Sequence, residues 1–391
     1  MPHGYAGSSG TRDLRIDWLR GLAMTCVIVN HSKLSSLLSW FSYERLWVVT
    51  AAEVFVLLSG IVLGTVYGRK LARNGWATVV RGLGRRAAVL YAAFVAVTAS
   101  VLALAAVGVD VRAVAPSDGP MAAWFFAPRT MNMAAWRDVL FMRVGLWPFE
   151  IIGLYVWLVA AAVPCLVILR TLGWRWLIGA SWTLYVWHQF HAHPLTHAGF
   201  ESAFPLLAWQ LLFVHGIAIG YHRDRLNTAA ARVLPWAAPT ALVAVAVFAV
   251  FAFCNPWTDG PAWLRLRLVS PELFADLYGS FFSLSDLGAG RLLNLAVGLP
   301  VAYGALTRYW SFMQPLNGFF ITLGQRSLGA FVLHVYALVL LAYTPLGDDV
   351  LINTLVQVAI LVGTVAILHA LQRPRVAQRP VTLLPAEPLA A

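Results

Sequence analysis

Long apolar runs recur along the whole chain, and each is close to the length of helix that a bilayer requires. An α-helix needs roughly 20 apolar residues to cross the hydrocarbon core. The predicted spans are 16–38, 47–67, 87–108, 148–169, 176–191, 204–222, 233–254, 284–306, 327–343 and 349–370. Because the runs are continuously apolar, they predict an all-α, polytopic membrane protein with about ten transmembrane helices.

The charge distribution supports this class. Charged residues make up 12% of the 391 residues, against about a quarter in soluble domains. The net charge of +11 comes from basic residues that fall mainly in short loops between the predicted helices. With ten spans these loops share the side of Arg12 and Arg15, which the positive-inside rule makes the cytoplasm. We therefore predict that both termini and these basic loops are cytoplasmic, and that the chain has a lipid bilayer and no nucleic acid as its partner.

No soluble domain is apparent in the sequence. The predicted organisation is a cytoplasmic N-terminal segment over 1–14, a transmembrane domain over 15–371 and a Pro-rich cytoplasmic tail over 372–391. The tail is predicted to be disordered, because its composition offers too little apolar surface to bury.

The first predicted span carries three ionisable residues, Asp17, Arg20 and His31. A charge in the hydrocarbon core costs roughly 2.5–3.5 kcal/mol, so such residues usually face a cavity or a partner. Arg20 and His31 are eleven residues apart, which places both on one helix face, about 16 Å apart along the axis. Asp17 lies near the same face, and a purely structural pair with Arg20 is the alternative interpretation.

Polar residues from other spans are predicted at the same two depths. The outer group comprises His31, Glu53 and Glu150, and the inner group comprises Arg20, Ser327, Arg326 and either Arg85 or Arg86. A His31–Glu53 pair matches general-base chemistry, in which the imidazole takes a hydroxyl proton and the carboxylate orients it. The sequence fixes the depth of these residues but not their adjacency.

Other histidines have competing interpretations. "ASWTLYVWH" and "RSLGAFVLH" each place a serine seven residues before a histidine, His188 in one and His334 in the other. Either histidine alone is as consistent with packing as with function. The loop histidines His191, His193 and His197 fit no familiar ligand spacing, so we expect a solvated loop and no bound metal.

Seven segments together carry a resemblance to a known family. They are "RDLRIDWLRGLAM…NH", "AAEVFVLLSG", "RRAAVLY", "PFEIIGLYV", "FPLLAWQLLFVHG", "LGAGRLLNLAV" and "LGQRSLGAFVLH". In order and spacing the chain resembles the OpgC-like family over about residues 11–340. These proteins are bacterial inner-membrane succinyltransferases acting on osmoregulated periplasmic glucans, related to the acyltransferase-3 superfamily.

The resemblance implies an acyltransferase domain over 15–371 that moves an acyl group, succinyl in this family, from cytoplasmic acyl-CoA to a glucan hydroxyl. The predicted catalytic residues are His31, Glu53 and Glu150. The predicted acyl-CoA site comprises Arg20, Asp17, Arg85, Arg86, Arg326 and Ser327. The predicted acceptor or acyl-group contacts are Arg291, Trp209, Gln210, His334 and Tyr155. Acyl-CoA is then a substrate, and no permanently bound cofactor is expected.

Two alternatives stay open at this point. One is an O-acetyltransferase acting on exopolysaccharide or lipopolysaccharide sugars. Because succinyl carries an extra carboxylate, an unpaired Arg291 near the outer group would favour succinyl. The other alternative is a transporter or flippase that uses His31 and Glu53 as a proton relay. The sequence also leaves a homo-oligomer open.

Overall fold

The computed structural model describes residues 12–42, 47–116, 123–126, 133–257 and 260–371, and these ranges are mainly helical. The α-helices in chain order are α1 (Leu14–His31), α2 (Ala51–Ala106), α3 (Ala123–Phe126), α4 (Met133–Leu140), α5 (Glu150–Thr171), α6 (Trp174–Phe190), α7 (Leu206–Tyr221), α8 (Arg223–Phe253), α9 (Pro271–Ser280), α10 (Ala289–Arg308), α11 (Gln314–Gln325), α12 (Ser327–Leu341) and α13 (Val350–Ala370). Each of the ten predicted segments overlaps one of these helices.

The second and third predicted segments both lie in α2, which is broken at Gly75. Gly75 has φ 72° and ψ −179°, a conformation that glycine adopts readily and other residues rarely. Beyond Gly75 the chain folds back on itself. The evidence is a contact between the two arms: a Cβ placed on Gly82 would lie 3.0 Å from the ring of Tyr67. The two arms of α2 therefore correspond to two separate predicted segments.

Several long apolar helices identify a membrane protein. By length and composition, five helices within the described ranges could cross a bilayer, and the count is six if α11 and α12, bent by 88°, form one span. The total of ten spans and the cytoplasmic placement of the termini stay predictions. Most of the predicted N-terminal segment, residues 1–11, and the predicted tail, residues 372–391, lie outside the described residues.

The first helix is shorter than the predicted span 16–38. It begins after Asp13, whose carboxylate accepts a hydrogen bond from the Arg15 amide, and it ends at His31. Lys33 has φ 53°, and its amide donates to the carbonyl of Asn30. This local turn ends the helix, and it places His31 in the last turn of α1.

Close backbone contacts fix α7 against the first arm of α2. The contact uses a glycine pair four residues apart on each helix, Gly60 and Gly64 on α2 and Gly216 and Gly220 on α7. The backbone of the opposite helix leaves no room for a Cβ at any of the four. Such small-residue spacing is a common means of bringing helices close together in membranes.

A second close contact fixes α11 against α1. Gly21 faces the carbonyl of Phe320, and Gly324 faces the carbonyl of Asp17, again with no room for a Cβ. Because α12 starts just after α11, this contact brings Ser327 beside Arg20.

Candidate functional site

A basic cavity of about 910 Å³ opens at the Arg20 end of α1. Its size lies within the roughly 300–1,000 Å³ of small-molecule and cofactor sites. Among the described residues, the cationic side chains that line it include Arg12, Arg20, Arg69, Lys70, Arg73, Arg86, Arg223 and Arg326, whereas the carboxylates are Asp13 and Asp17. The excess of positive charge suits an anionic ligand, phosphate groups in particular.

Arg20 is a buried cation at the inner wall of this cavity. Its Nη2 donates to the hydroxyl of Ser327 at 2.9 Å, and its guanidinium lies 4.9 Å from the ring centroid of Phe55. Its Nε has no hydrogen-bond partner among the described residues. A buried donor without a partner costs free energy, so Arg20 retains donor capacity that a ligand can use.

The Asp17–Arg20 pair, the alternative interpretation of Arg20, is not found in the structure. Asp17 instead accepts two hydrogen bonds from Arg12, at 2.6 and 2.9 Å, and a third from Gln325 at 3.2 Å. Arg12 precedes the helix, and its side chain extends along the first turn to Asp17. The Arg20 side chain instead points toward Ser327. The interpretation of Arg20 as a merely structural partner of Asp17 therefore has no support in the geometry.

Asp13 anchors the rim of the cavity. Its carboxylate binds Arg15 at 2.8 Å and Tyr303 at 2.6 Å, and it also pairs with Arg223. Burial alone would raise the pKa of the Asp13 carboxyl, but the hydrogen bonds from Arg15 and Tyr303 outweigh it and lower that pKa. The ionised carboxylate therefore joins α1 to α8 and α10.

The other predicted acyl-CoA residues are mostly found in this cavity. Arg86, Arg326 and Ser327 line it with Arg20 and Asp17, and Arg326 also donates to the carbonyl of Leu368 at 2.6 Å. Arg85 is exposed and lies outside the described cavity lining. Of the two adjacent arginines that the sequence could not separate, the structure places Arg86 in the site.

At the other end of α1, His31 pairs with His334. The Nδ1 atom of His31 lies 3.1 Å from Nε2 of His334, and Nδ1 of His334 lies 2.6 Å from the carbonyl oxygen of Phe331. A carbonyl only accepts, so neutral His334 carries its proton on Nδ1 and accepts at Nε2. His31 then donates from Nδ1, which leaves its Nε2 as a bare acceptor, the form that a general base requires.

The predicted His31–Glu53 pair is wrong. One Glu53 oxygen accepts from Arg291 at 2.7 Å, and the other accepts from the Thr50 amide at 2.8 Å and contacts the Thr50 hydroxyl. Thr50 and Glu53 form a capping box at the start of α2, a local arrangement that uses a glutamate three residues after the N-cap. The carboxylate is therefore committed to helix capping and to one buried ion pair.

Arg291 is not the unpaired cation that the succinyl argument required. It is 1% exposed, and it donates to Glu53, to the Phe282 carbonyl at 2.7 Å and to the Tyr278 hydroxyl at 2.9 Å. A fully buried guanidinium is stable only with such a set of partners. The preference for succinyl therefore cannot rest on this residue.

Aromatic side chains connect the two ends of α1. Phe55 contacts Arg20, the rings of Phe55 and Phe331 lie 5.5 Å apart, and the rings of Phe331 and His334 lie 5.7 Å apart. Tyr155 packs edge-on against Phe55 at 6.1 Å. The basic cavity and the histidine pair are thus joined by a continuous chain of contacts through an apolar layer.

Trp147, just before α5, packs against the histidine pair, and Glu150 is the first residue of α5. The ring of Trp147 lies 4.8 Å from that of His31, and Glu150 follows one turn later as the first residue of α5. The Glu150 carboxylate is partly buried and makes no hydrogen bond or ion pair within the described ranges. Its catalytic role stays a prediction.

Two predicted substrate contacts are held in a different cluster. Trp209 donates from Nε1 to the carbonyl of Ser285 at 2.9 Å, and Gln210 exchanges hydrogen bonds with Ser181 at 2.7 and 2.9 Å. His188, the histidine of the first echo, lies 3.1 Å from Asp286 in the same region. These contacts hold α6, α7 and the loop before α10 together, and they do not bring Trp209 or Gln210 to His31.

Sequence reasoning missed Phe55, Phe331 and Trp147, which are apolar residues in apolar segments and carry no signal of their own. The spacing of Ser327 and His334, seven residues apart, is a sequence signal for this arrangement. Ser327 contacts Arg20 and His334 contacts His31, so α12 contacts both ends of α1. Within the described ranges no group of three or more His, Cys, Asp or Glu side chains could hold a metal.

Comparison with known protein families gives a match. Residues 12–376, nearly the whole chain, match the model of a family described as OpgC protein. No curated protein and no solved structure matches the chain significantly.

Proposed function

The chain belongs to the OpgC family, as its seven sequence segments predicted, and we propose that it transfers an acyl group from acyl-CoA to a hydroxyl of a periplasmic glucan. Family membership points to a membrane acyltransferase acting on glucans. The acyl-CoA donor, the periplasmic acceptor and the inner-membrane location are the further parts of this proposal.

One observation carries the proposal, namely that α1 and α12 build a polar site together at each of their two ends. Arg20 lies in the basic cavity and His31 in the histidine pair, and α12 meets both through Ser327 and His334. The two positions are about 16 Å apart along the helix, a separation of the same order as an extended pantetheine arm. The basic end suits the nucleotide phosphates of CoA, and the histidine end suits chemistry on the thioester.

The proposed reaction is direct transfer with His31 as general base. His31 Nε2 takes the proton of the glucan hydroxyl, and the hydroxyl oxygen attacks the thioester carbonyl. A C–O bond forms, the C–S bond breaks, and the proton passes from His31 to the departing thiolate, which leaves as CoA thiol. In this reaction His334 takes no part in bond changes. Its role is to fix the tautomer of His31: its own hydrogen bond to the Phe331 carbonyl leaves its Nε2 to accept the proton of His31 Nδ1.

Phe55 and Phe331 stand between the cavity and the histidine pair, and both are buried. His31 itself is not among the described residues that line the cavity. The acyl arm must therefore pass beside these rings, and the proposal includes a rearrangement of the two phenylalanines when the donor binds.

The transporter alternative loses its support, because it required a proton relay between His31 and Glu53. Glu53 is instead held by Arg291 and Thr50, and His31 is held by His334. The acetyl alternative keeps the same site and differs only in the acyl group.

The decisive experiment is thiol release by the purified protein in detergent. Succinyl-CoA or acetyl-CoA is mixed with a neutral glucose oligomer, free CoA thiol is followed with a thiol reagent, and the oligomer is analysed by mass spectrometry. We expect thiol release together with an acylated oligomer, and we expect neither in His31→Ala. His188→Ala is the matched control, because it removes a buried histidine outside the proposed site. Absence of thiol release from every acyl-CoA in the wild type would overturn the proposal.

A further inference from the structure

The segment that follows α1 is held to α13 by side-chain hydrogen bonds. The amide of Leu37 donates to the Thr354 hydroxyl at 2.9 Å, and the side-chain amide of Asn353 donates to the Ser35 carbonyl at 3.1 Å. Gln357 lies one turn further along α13 and is 0% exposed. Because α13 is one of the apolar helices that could cross a bilayer, an amide buried on it is favourable only when it has hydrogen-bond partners.

Gln357 contacts residues on both sides of His31. Its Nε2 atom lies 2.7 Å from the Ser32 hydroxyl oxygen and 3.3 Å from the Val29 carbonyl oxygen. Its Oε1 atom accepts from the Ser36 hydroxyl at 2.5 Å. Val29 precedes His31 by two residues and Ser32 follows it directly. One side chain of α13 therefore holds the last turn of α1 around the proposed base.

The hydrogen-bond network fixes the orientation of the Gln357 amide. The Ser32 hydroxyl donates to the Val29 carbonyl at 2.7 Å, so it accepts from Gln357, and the NH2 group is the donor of that amide. The Ser36 hydroxyl accepts from the Ser39 amide at 3.0 Å and donates to the amide oxygen of Gln357. A reversed amide would place its oxygen against the Val29 carbonyl, so rotation of this side chain would break hydrogen bonds that are buried.

His31 occupies a position that requires such support. It is the last residue of α1, and the ends of helices leave carbonyl groups without intrahelical partners and tend to fray. The imidazole is paired with His334, but this contact keeps the ring in place only while the backbone that carries it is also fixed. A displacement of about 1 Å at a reacting group can lower a rate about 10²-fold.

We propose that Gln357 is a positioning residue for the general base, because it holds the last turn of α1 and so keeps Nε2 of His31 directed at the acceptor hydroxyl. This inference rests on the proposed function, since it concerns the base of that reaction. Gln357 takes no part in bond making or breaking. Its loss should therefore affect turnover and not the binding of the donor, which the basic cavity at the other end of α1 provides.

The test variant is Gln357→Met, which keeps the length of the side chain and removes both of its hydrogen-bonding groups. We expect kcat for thiol release to fall about 10- to 100-fold, in line with a displacement of up to about 1 Å, while KM for the acyl-CoA stays within about twofold. Amide hydrogen exchange, followed by mass spectrometry, should become faster over residues 28–36 and stay unchanged in α5. Turnover is measured well below the unfolding temperature of each variant, so that unfolded protein does not account for the loss.

Ser32→Ala is a milder variant, and it tests the same connection if Gln357→Met fails to fold. It removes the hydroxyl that joins Gln357 to the Val29 carbonyl. We expect a lower kcat at unchanged KM, with a smaller loss than in Gln357→Met. The double variant should be about as slow as Gln357→Met alone, because residues in one hydrogen-bond network have non-additive effects.

Thr364→Val is the matched control. Thr364 is buried on the same helix, and its hydroxyl donates within α13 to the Ile360 carbonyl at 2.7 Å. This variant should leave kcat, KM and the exchange of residues 28–36 unchanged.

Three results would overturn the role of Gln357 and leave the proposed function intact. They are wild-type kcat in both Gln357→Met and Ser32→Ala, a loss of kcat accompanied by an equal rise in KM, and an equal loss of kcat in Thr364→Val. A wild-type protein that releases thiol from no acyl-CoA would overturn both the proposed function and this inference.

Discussion

The Nδ1 atom of His31 lies 3.1 Å from Nε2 of His334, a residue 303 positions further along the chain. His334 in turn donates to the Phe331 carbonyl. This order of donors leaves Nε2 of His31 free to accept a proton, and it makes His334 a positioning residue. The predictions below test that arrangement and its connection to the basic cavity.

The first prediction concerns His31. Replacing it with alanine should lower acyl transfer by about 10²- to 10⁴-fold, the usual contribution of a general base. CoA affinity should stay within about twofold, because the basic cavity lies at the other end of α1. Turnover is measured by thiol release, and affinity is measured by calorimetric titration of CoA. Near wild-type turnover in His31→Ala would exclude it as the base.

The second prediction concerns His334, where two substitutions should differ. His334→Ala removes the acceptor for the His31 Nδ1 proton, so His31 can adopt the wrong tautomer and kcat should fall at least tenfold. His334→Gln offers a carbonyl oxygen to the same proton and should recover part of that loss. KM for the acyl-CoA should change little in either variant. If the two variants are equally inactive and KM rises in both, His334 contacts substrate, as the sequence first suggested.

The third prediction concerns the basic cavity. Arg20→Ala should weaken CoA binding at least tenfold, since it removes a buried donor with an unused N–H. Arg20→Lys should restore only part of the affinity, because a single ammonium replaces a planar fork. Arg85→Ala is the control, because Arg85 is exposed and lies outside the cavity lining. Titration of CoA into each purified variant gives the comparison, and equal affinity in wild type and Arg20→Ala would remove Arg20 from the donor site.

The fourth prediction concerns Glu53 and Arg291, which are each 1% exposed and form a buried ion pair. Glu53→Gln should destabilise the protein by about 3–5 kcal/mol, because it leaves the Arg291 charge buried and unpaired. The double variant Glu53→Gln with Arg291→Met should be more stable than Glu53→Gln alone, and thermal unfolding in detergent gives the order. Wild-type stability with lost turnover in Glu53→Gln would instead restore the catalytic role that the sequence suggested.

The fifth prediction concerns pH. The pKa of the Asp13 carboxyl is lowered in the folded protein, so its ionised form contributes stability above its unfolded pKa of about 3.9. That contribution is lost as the pH falls below about 4 and through the lower folded pKa. Asp13→Asn should therefore unfold at a lower temperature than the wild type at neutral pH, and the difference should shrink in acid. A difference that does not change with pH would mean that the charge of Asp13 does not stabilise the fold.

The sequence by itself determined the fold class and the family, and it predicted the spacing of Arg20 and His31 along the first helix. Apolar length identifies helices that can cross a membrane, and helix geometry places Arg20 and His31 on one face, about three turns apart. Motif order over most of the chain gave the family. Apolar length, helix geometry and motif order depend on residues that are near one another in the chain. They can therefore be inferred from the sequence without knowing which helices are in contact.

Adjacency was decided only by the tertiary structure. Glu53 and His31 lie at comparable predicted depths, yet Glu53 caps α2 and pairs with Arg291, while His31 pairs with His334. A helix at a given depth can turn its side chains in any direction, and glycine contacts between helices fix that direction. The partners of each polar residue therefore depend on how the helices pack, which the sequence pattern of a single span does not contain.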